Sequence, residues 1–333
     1  MTGGHSLSIF VSTMPFGEFD SSPVEWLAAT GWTVKVNDTG RKLKPSEVAE
    51  MARDCDGIVA GTENLDELVA TSTRLKMISR VGIGLDSVPL MKCRERGIAV
   101  AYTPDAVTLA VAEFTIGSMI STCRYFVYDD RTLRAGQWKR TQGLRLGEAK
   151  IGIVGFGRIG SNVGRMLAPF RPKEVLVRDI QDKSAGIAAL VASGVNARAA
   201  GFDEILETCD IVTLHVPLGR ATRGLIGAAQ LRRMRHGAYL INASRGGIVD
   251  EAALYDVLKS GHLAGAAVDV FETEPYTGPF CELENVQLTA HLGSCSVDCR
   301  ARMECEATAD LVRFFKGETM HNPVPDDEYE NQG

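Results

Sequence analysis

Ile151-Gly152-Ile153-Val154-Gly155-Phe156-Gly157-Arg158-Ile159-Gly160 is the stretch from which the rest of the chain can be read. Its first four residues form a short apolar run that suits a buried strand, and G-x-G-x-x-G follows at once. Beyond it Ile159, Val163, Met166 and Phe170 recur at helical spacing, so the glycines stand between a strand and a helix. Gly155 permits the tight turn, Gly157 lets the backbone approach a pyrophosphate, and Gly160 lets the helix pack on the sheet. The helix start at Arg158 and Ile159 offers N–H groups and a positive dipole end to that anion. The next apolar run ends at Asp179, about twenty residues past the last glycine, where a carboxylate meets ribose hydroxyls and repels a 2′-phosphate. The spacing predicts a bound dinucleotide, NAD rather than NADP.

Working outward, short apolar runs alternate with helical patterns, the signature of parallel α/β units. Before the glycines, strands are expected over residues 7–11, 33–36, 57–60, 76–79 and 98–101, with helices between them such as 46–53 and 88–96. Five such units make a flavodoxin-like domain. After the glycines, strands over 151–154, 174–177, 211–214, 238–241, 266–268 and 286–288 make a six-stranded doubly wound sheet. Long helical patterns at 106–124 and 294–316 read as crossings between the two. The expected fold is therefore α/β: a Rossmann-type cofactor domain, 106–296, inserted in a smaller substrate-binding domain made of 1–105 plus 297–333. The acidic tail after Pro323 reads as frayed.

Composition narrows the function. The chain has 333 residues and a formal net charge of −6, with no Lys/Arg block, which argues against a nucleic-acid partner. Residues 1–10 show no basic stretch followed by a long apolar run, so no export signal is read. The most apolar stretch, 106–120, carries Glu113 and is too short to span a membrane. Eight cysteines, at 55, 93, 123, 209, 281, 295, 299 and 305, form no C-x-x-C pair. Reduced thiols and a cytoplasmic location follow. Cys295, Cys299 and Cys305 after His291 fit small packing residues at helical spacing better than metal ligands, and no metal is expected.

Further motifs stand in order along the chain: Ala60-Gly61-Thr62-Glu63, Ser79-Arg80-Val81-Gly82-Ile83-Gly84-Leu85-Asp86, Val111-Ala112-Glu113-Phe114, His215-Val216-Pro217-Leu218, residues 241–250, Val268-Asp269-Val270-Phe271 and Thr289-Ala290-His291-Leu292-Gly293. Together with the Gly155 fingerprint they resemble the D-isomer-specific 2-hydroxyacid dehydrogenase family, in its phosphoglycerate dehydrogenase-like branch. The resemblance runs from about Gly57 to the last long helix. It departs in two places: Asp86-Ser87 stands where the family often has Asp-Asn, and Ala60-Gly61-Thr62 where some phosphoglycerate enzymes carry an Arg.

The resemblance implies roles. Arg245 binds the substrate carboxylate in a two-pronged grip and polarises the reacting oxygen. His291 moves the proton. Glu274 orients His291 and favours imidazolium, with Glu272 as the competing, solvated neighbour. Backbone amides of Val81, Gly82 and Ile83 hold the carboxylate from the smaller domain, and Arg80 faces a substrate phosphate or an ion pair. His215, Val216, Pro217 and Thr222 line the cofactor cleft, while Ala243, Asp269 and Gly293 border the nicotinamide. Domain closure brings Arg245 to the loop at Arg80 and excludes water. The implied activity is hydride transfer between NAD and C2 of a small anionic 2-hydroxy or 2-oxo acid, 3-phosphoglycerate-like in the first instance. Hydroxypyruvate, glyoxylate or a phosphonate analogue is the alternative, and an NAD(H)-sensing corepressor-like protein the rival. A homodimer through the cofactor domain is implied, with Trp138, Lys139 and Arg140 on the segment that reaches the partner.

Overall fold

The structure, a computed structural model, describes residues 6–332; residues 1–5, where part of the export-signal reading falls, and Gly333 lie outside them. The chain forms two compact units, Met1–Val107 with Ser296–Gly333, and Thr108–Cys295. Every strand in both sheets runs parallel to its neighbours, as the alternation of strand and helix patterns requires.

In the first unit the strands are β1 (Ser8–Val11), β2 (Thr33–Val36), β3 (Gly57–Ala60), β4 (Met77–Arg80) and β5 (Ala99–Ala101), in the order β2-β1-β3-β4-β5. That order is flavodoxin-like. β3 and β4 are buried along their whole length; β3 is apolar throughout, as a strand covered on both faces requires, while β4 ends on the polar Ser79 and Arg80. Helix Val297–Phe315 belongs to this unit, and Ser79 donates to its Ala307 carbonyl at 2.6 Å. The tail is not frayed. Asp326–Gln332 is a helix with three acids in its first turn, where they complement the positive end of the helix dipole. Tyr329 is buried beneath the Arg94 guanidinium. The Gln332 amide spans the carbonyls of Leu85 and Val88 and the amide of Leu90.

The second unit opens with helix Thr108–Cys123. Its strands are β6 (Lys150–Val154), β7 (Glu174–Arg178), β8 (Ala197–Ala199), β9 (Ile211–Leu214), β10 (Tyr239–Asn242), β11 (Gly265–Val268) and β12 (Val286–Leu288). The order is β12-β11-β10-β9-β6-β7-β8, seven strands where six were expected. The addition, β8, is a three-residue edge strand with no apolar run. Arg198 at its centre pairs with Glu174 and Glu204. The chain order reverses between β6 and β9, and such a switch point opens a crevice at the carboxyl ends of the strands.

Candidate active site

The carboxyl ends of β6, β7, β9, β10, β11 and β12 carry the motif residues of the second unit. Gly155 follows β6 with φ of +91°, a left-handed conformation that suits glycine. Any side chain there would collide with the His215 carbonyl at the end of β9, so the glycine locks two strand ends together. Gly160 packs equally closely on the Gly155 carbonyl. Gly157 differs, because a Cβ built on it meets nothing within 4 Å. Open space therefore lies over the start of helix Arg158–Met166, whose first amides have no acceptor within the helix. Asp179, just past β7, accepts the Phe156 amide at 2.7 Å and the Gln181 amide at 2.9 Å, which places its carboxylate beside the glycine loop. These residues fit a dinucleotide, with the helix start for its pyrophosphate and Asp179 for a ribose.

Beyond β9, Thr222 folds the loop on itself, donating to the Pro217 carbonyl at 2.6 Å and accepting the Gly219 amide at 2.8 Å. Val216 packs toward Gly155. His215 contacts the Thr213 hydroxyl at 3.0 Å, and burial pulls its imidazole down to about 3. It stays neutral at physiological pH.

The loops after β10, β11 and β12 form one connected structure. Asn242 ends β10 with an Asx turn, accepting the Ser244 amide and hydroxyl and donating to the Arg245 carbonyl at 3.1 Å. That turn presents Ala243, Ser244 and Arg245, and the Arg245 guanidinium also reaches the Ser244 carbonyl at 2.7 Å. The next residue, Gly246, lies flat on the chain after β11. A Cβ there would collide with the Phe271 carbonyl and stand 2.7 Å from the Glu272 nitrogen. Phe271 in turn donates its amide to Glu274 Oε1 at 3.2 Å. Glu274 meets His291 Nδ1 through both carboxylate oxygens, at 3.2 and 3.1 Å. The series Arg245, Gly246, Phe271, Glu274, His291 is thus continuous in space.

His291 takes φ of +55°, a conformation few residues other than glycine adopt. Asp269 holds it there. Its carbonyl accepts the His291 amide at 2.8 Å. Its carboxylate, 2% exposed, accepts the Thr289 hydroxyl and the amides of Leu292 and Gly293. Three of about four acceptor positions on that carboxylate are filled, which leaves one. Asp269 is first the organiser of the His291 loop. Asn242 and Thr289 are the other organisers that motif reading passed over, although Asn242 carried an Asx-turn signal.

In the first unit the loop after β4 differs from expectation. The Val81 amide donates to the Ala60 carbonyl at 2.8 Å, and the Gly82 amide to Thr103 Oγ1, also at 2.8 Å. Two of the three expected amide donors are therefore engaged. Among the described residues the next amides, of Ile83, Gly84 and Leu85, donate no hydrogen bond. Arg80 is 7% exposed and lays its guanidinium across Gly82. Cys295 reaches the His291 carbonyl at 3.6 Å. Among the described residues no group of three or more His, Cys, Asp or Glu side chains is placed to hold a metal ion, and no helix is long and apolar enough to cross a membrane.

Residues 116–293 match the family described as D-isomer specific 2-hydroxyacid dehydrogenase, NAD binding domain. The chain belongs to the D-isomer-specific 2-hydroxyacid dehydrogenase family. It is an NAD(P)-dependent oxidoreductase. A glyoxylate reductase of Thermofilum pendens is 37% identical, over 82% of this chain and 82% of that protein. A D-3-phosphoglycerate dehydrogenase of Archaeoglobus fulgidus is 32% identical over 78% of this chain, and the match spans about half, 49%, of that longer protein. Among solved structures, the TT0316 protein of Thermus thermophilus superposes with a TM-score of 0.84 at 30% identity, covering 96% of this dehydrogenase and 100% of that chain.

Proposed function

We propose that this dehydrogenase reduces a small 2-oxo acid of glyoxylate or hydroxypyruvate size to the D-2-hydroxy acid, using NADH in preference to NADPH. The contact between His291 Nδ1 and Glu274 carries the reading. With Nδ1 turned to the carboxylate, Nε2 is the nitrogen left to exchange a proton with the substrate oxygen. Glu274 stabilises the imidazolium that gives that proton up in reduction and re-forms in oxidation. Arg245 grips the substrate carboxylate and polarises the C2 oxygen. NADH, when bound, supplies the hydride. Gly155, Gly157, Arg158, Ile159 and Gly160 would hold its pyrophosphate and Asp179 its ribose. His215, Val216, Pro217, Thr222, Ala243, Gly293 and the remaining acceptor position of Asp269 would border its nicotinamide half.

A phosphorylated substrate is disfavoured because Arg80, the cation expected to meet a phosphate, is buried and laid across Gly82. The 37% identity to the Thermofilum pendens glyoxylate reductase supports the same choice. A cytoplasmic site of action fits eight free cysteines. A homodimer fits the exposed apolar side chains of Phe126, Leu133 and Trp138 on the cofactor unit, the last 82% exposed.

NADH and NADPH oxidation against glyoxylate, hydroxypyruvate and 3-phosphohydroxypyruvate tests the reading. The expected result is turnover of the two small acids, with kcat/KM at least about tenfold higher for NADH. His291→Ala is expected to lower kcat by roughly 10²-fold or more. Preference for the phosphorylated acid or for NADPH would overturn the substrate or cofactor assignment, and full activity in His291→Ala would overturn the mechanism.

A further inference from the structure

Glu251 is a carboxylate that the reaction above leaves without a task. It opens helix Glu251–Lys259, directly after Asp250. Asp250 already caps that helix, accepting the Ala253 amide at 3.0 Å. Glu251 turns elsewhere, and its Oε1 accepts the Glu272 amide at 2.6 Å, a short charge-assisted bond. Two successive amides of one turn are thereby held by two carboxylates. Phe271 is held by Glu274 from within the turn, and Glu272 by Glu251 from a separate helix. The Arg245 loop closes on the same turn through Gly246.

We propose that Glu251 is a positioning residue: it tethers the Phe271–Glu274 turn, so that Glu274 meets His291 Nδ1. The inference rests on the reading of His291 as the proton-transfer group. Glu272 and Glu274 are exposed, and a solvated Glu with rotamer freedom holds its partner weakly. Anchoring the backbone on both sides of Phe271 removes that freedom at its root.

The tether needs an acceptor oxygen, not a charge. Burial raises the Glu251 carboxyl above its ordinary value, and the charges of Glu272 and Glu274 add to that rise against the pull of the Glu272 amide. A glutamine offers the same oxygen at the same reach without a third negative charge. An aspartate keeps the charge near the helix N-terminus but falls one methylene short. The two substitutions therefore separate a tether from the alternative, an acid that only complements the helix dipole.

The test uses the full chain with Glu251→Gln and Glu251→Asp, read by steady-state reduction of the small 2-oxo acid and by 15N spectra of labelled histidine. Glu251→Gln is expected to keep kcat within about twofold. It is also expected to leave the His291 Nδ1 resonance in place. Glu251→Asp is expected to lose roughly tenfold in kcat with KM within about twofold. Its His291 resonance is expected to move toward its position in Glu274→Gln. The opposite ranking, or an unmoved His291 resonance in Glu251→Asp, would overturn the tether. If the unaltered chain turns over no 2-oxo acid, the proposed function fails, while the spectra still decide the tether.

Discussion

His291 sits at φ of +55°, and a non-glycine residue held there stores on the order of 1 kcal/mol or more. The Asp269 bonds to its amide and to both following amides offset that cost. A histidine so fixed is aimed by its backbone before any substrate arrives, which suits a group that must meet one oxygen. Its carboxylate partner is Glu274 and not Glu272, whose amide, not its side chain, is engaged. Glu274→Gln is accordingly expected to slow reduction roughly 10- to 100-fold near neutral pH. Glu272→Gln should stay within about threefold. Measurements of kcat decide, and the reverse ranking would refute the pairing. Residues close in sequence, such as Asn242 to Gly246, declare their turn through local chemistry. The fate of the Gly82 amide was not legible, because its acceptor, Thr103, is set by the pairing of β4 with β5.

Elements place the loops, and the loops share one another's backbone. β10 and β11 pair from Tyr239–Gly265 to Asn242–Val268, so the segments that follow them emerge side by side. Gly246 exploits that proximity. Gly246→Ala would force the Arg245 loop off the Phe271 carbonyl, and no side-chain rotation relieves a clash with backbone. The expected outcome is a kcat/KM loss of roughly 10²-fold or more. Thermal unfolding is expected to fall by a few degrees at most, since the clash lies between two loops and not in a strand or helix. Activity within threefold of the unaltered enzyme would show that the two loops move independently. At this scale most strands were legible as apolar runs, because parallel strands covered on both faces carry little else. β8 escaped because an edge strand needs only one paired side. Its Ala197-Arg198-Ala199 looks like any turn.

At the scale of the whole chain, sequence position and spatial role diverge most. Residues 326–332 are acidic and terminal, two properties that read as disorder. Composition could not show that Tyr329 finds a cover in Arg94, or that the Gln332 amide matches three backbone groups between Leu85 and Leu90. Those contacts lie at the end of the run Ile83 to Leu85, whose amides donate no hydrogen bond among the described residues. The tail helix fastens the far end of that loop. Removing everything after Pro325 would expose a buried ring, worth roughly 2 kcal/mol. It would also delete three hydrogen bonds of about 1 kcal/mol each. Ordering a seven-residue helix costs part of that sum in chain entropy. A net loss of about 2 kcal/mol lowers the melting temperature by roughly 3 °C in a protein of this size. Calorimetry on the truncated chain is the check, and an unchanged melting temperature would show the helix to be an ornament of the surface.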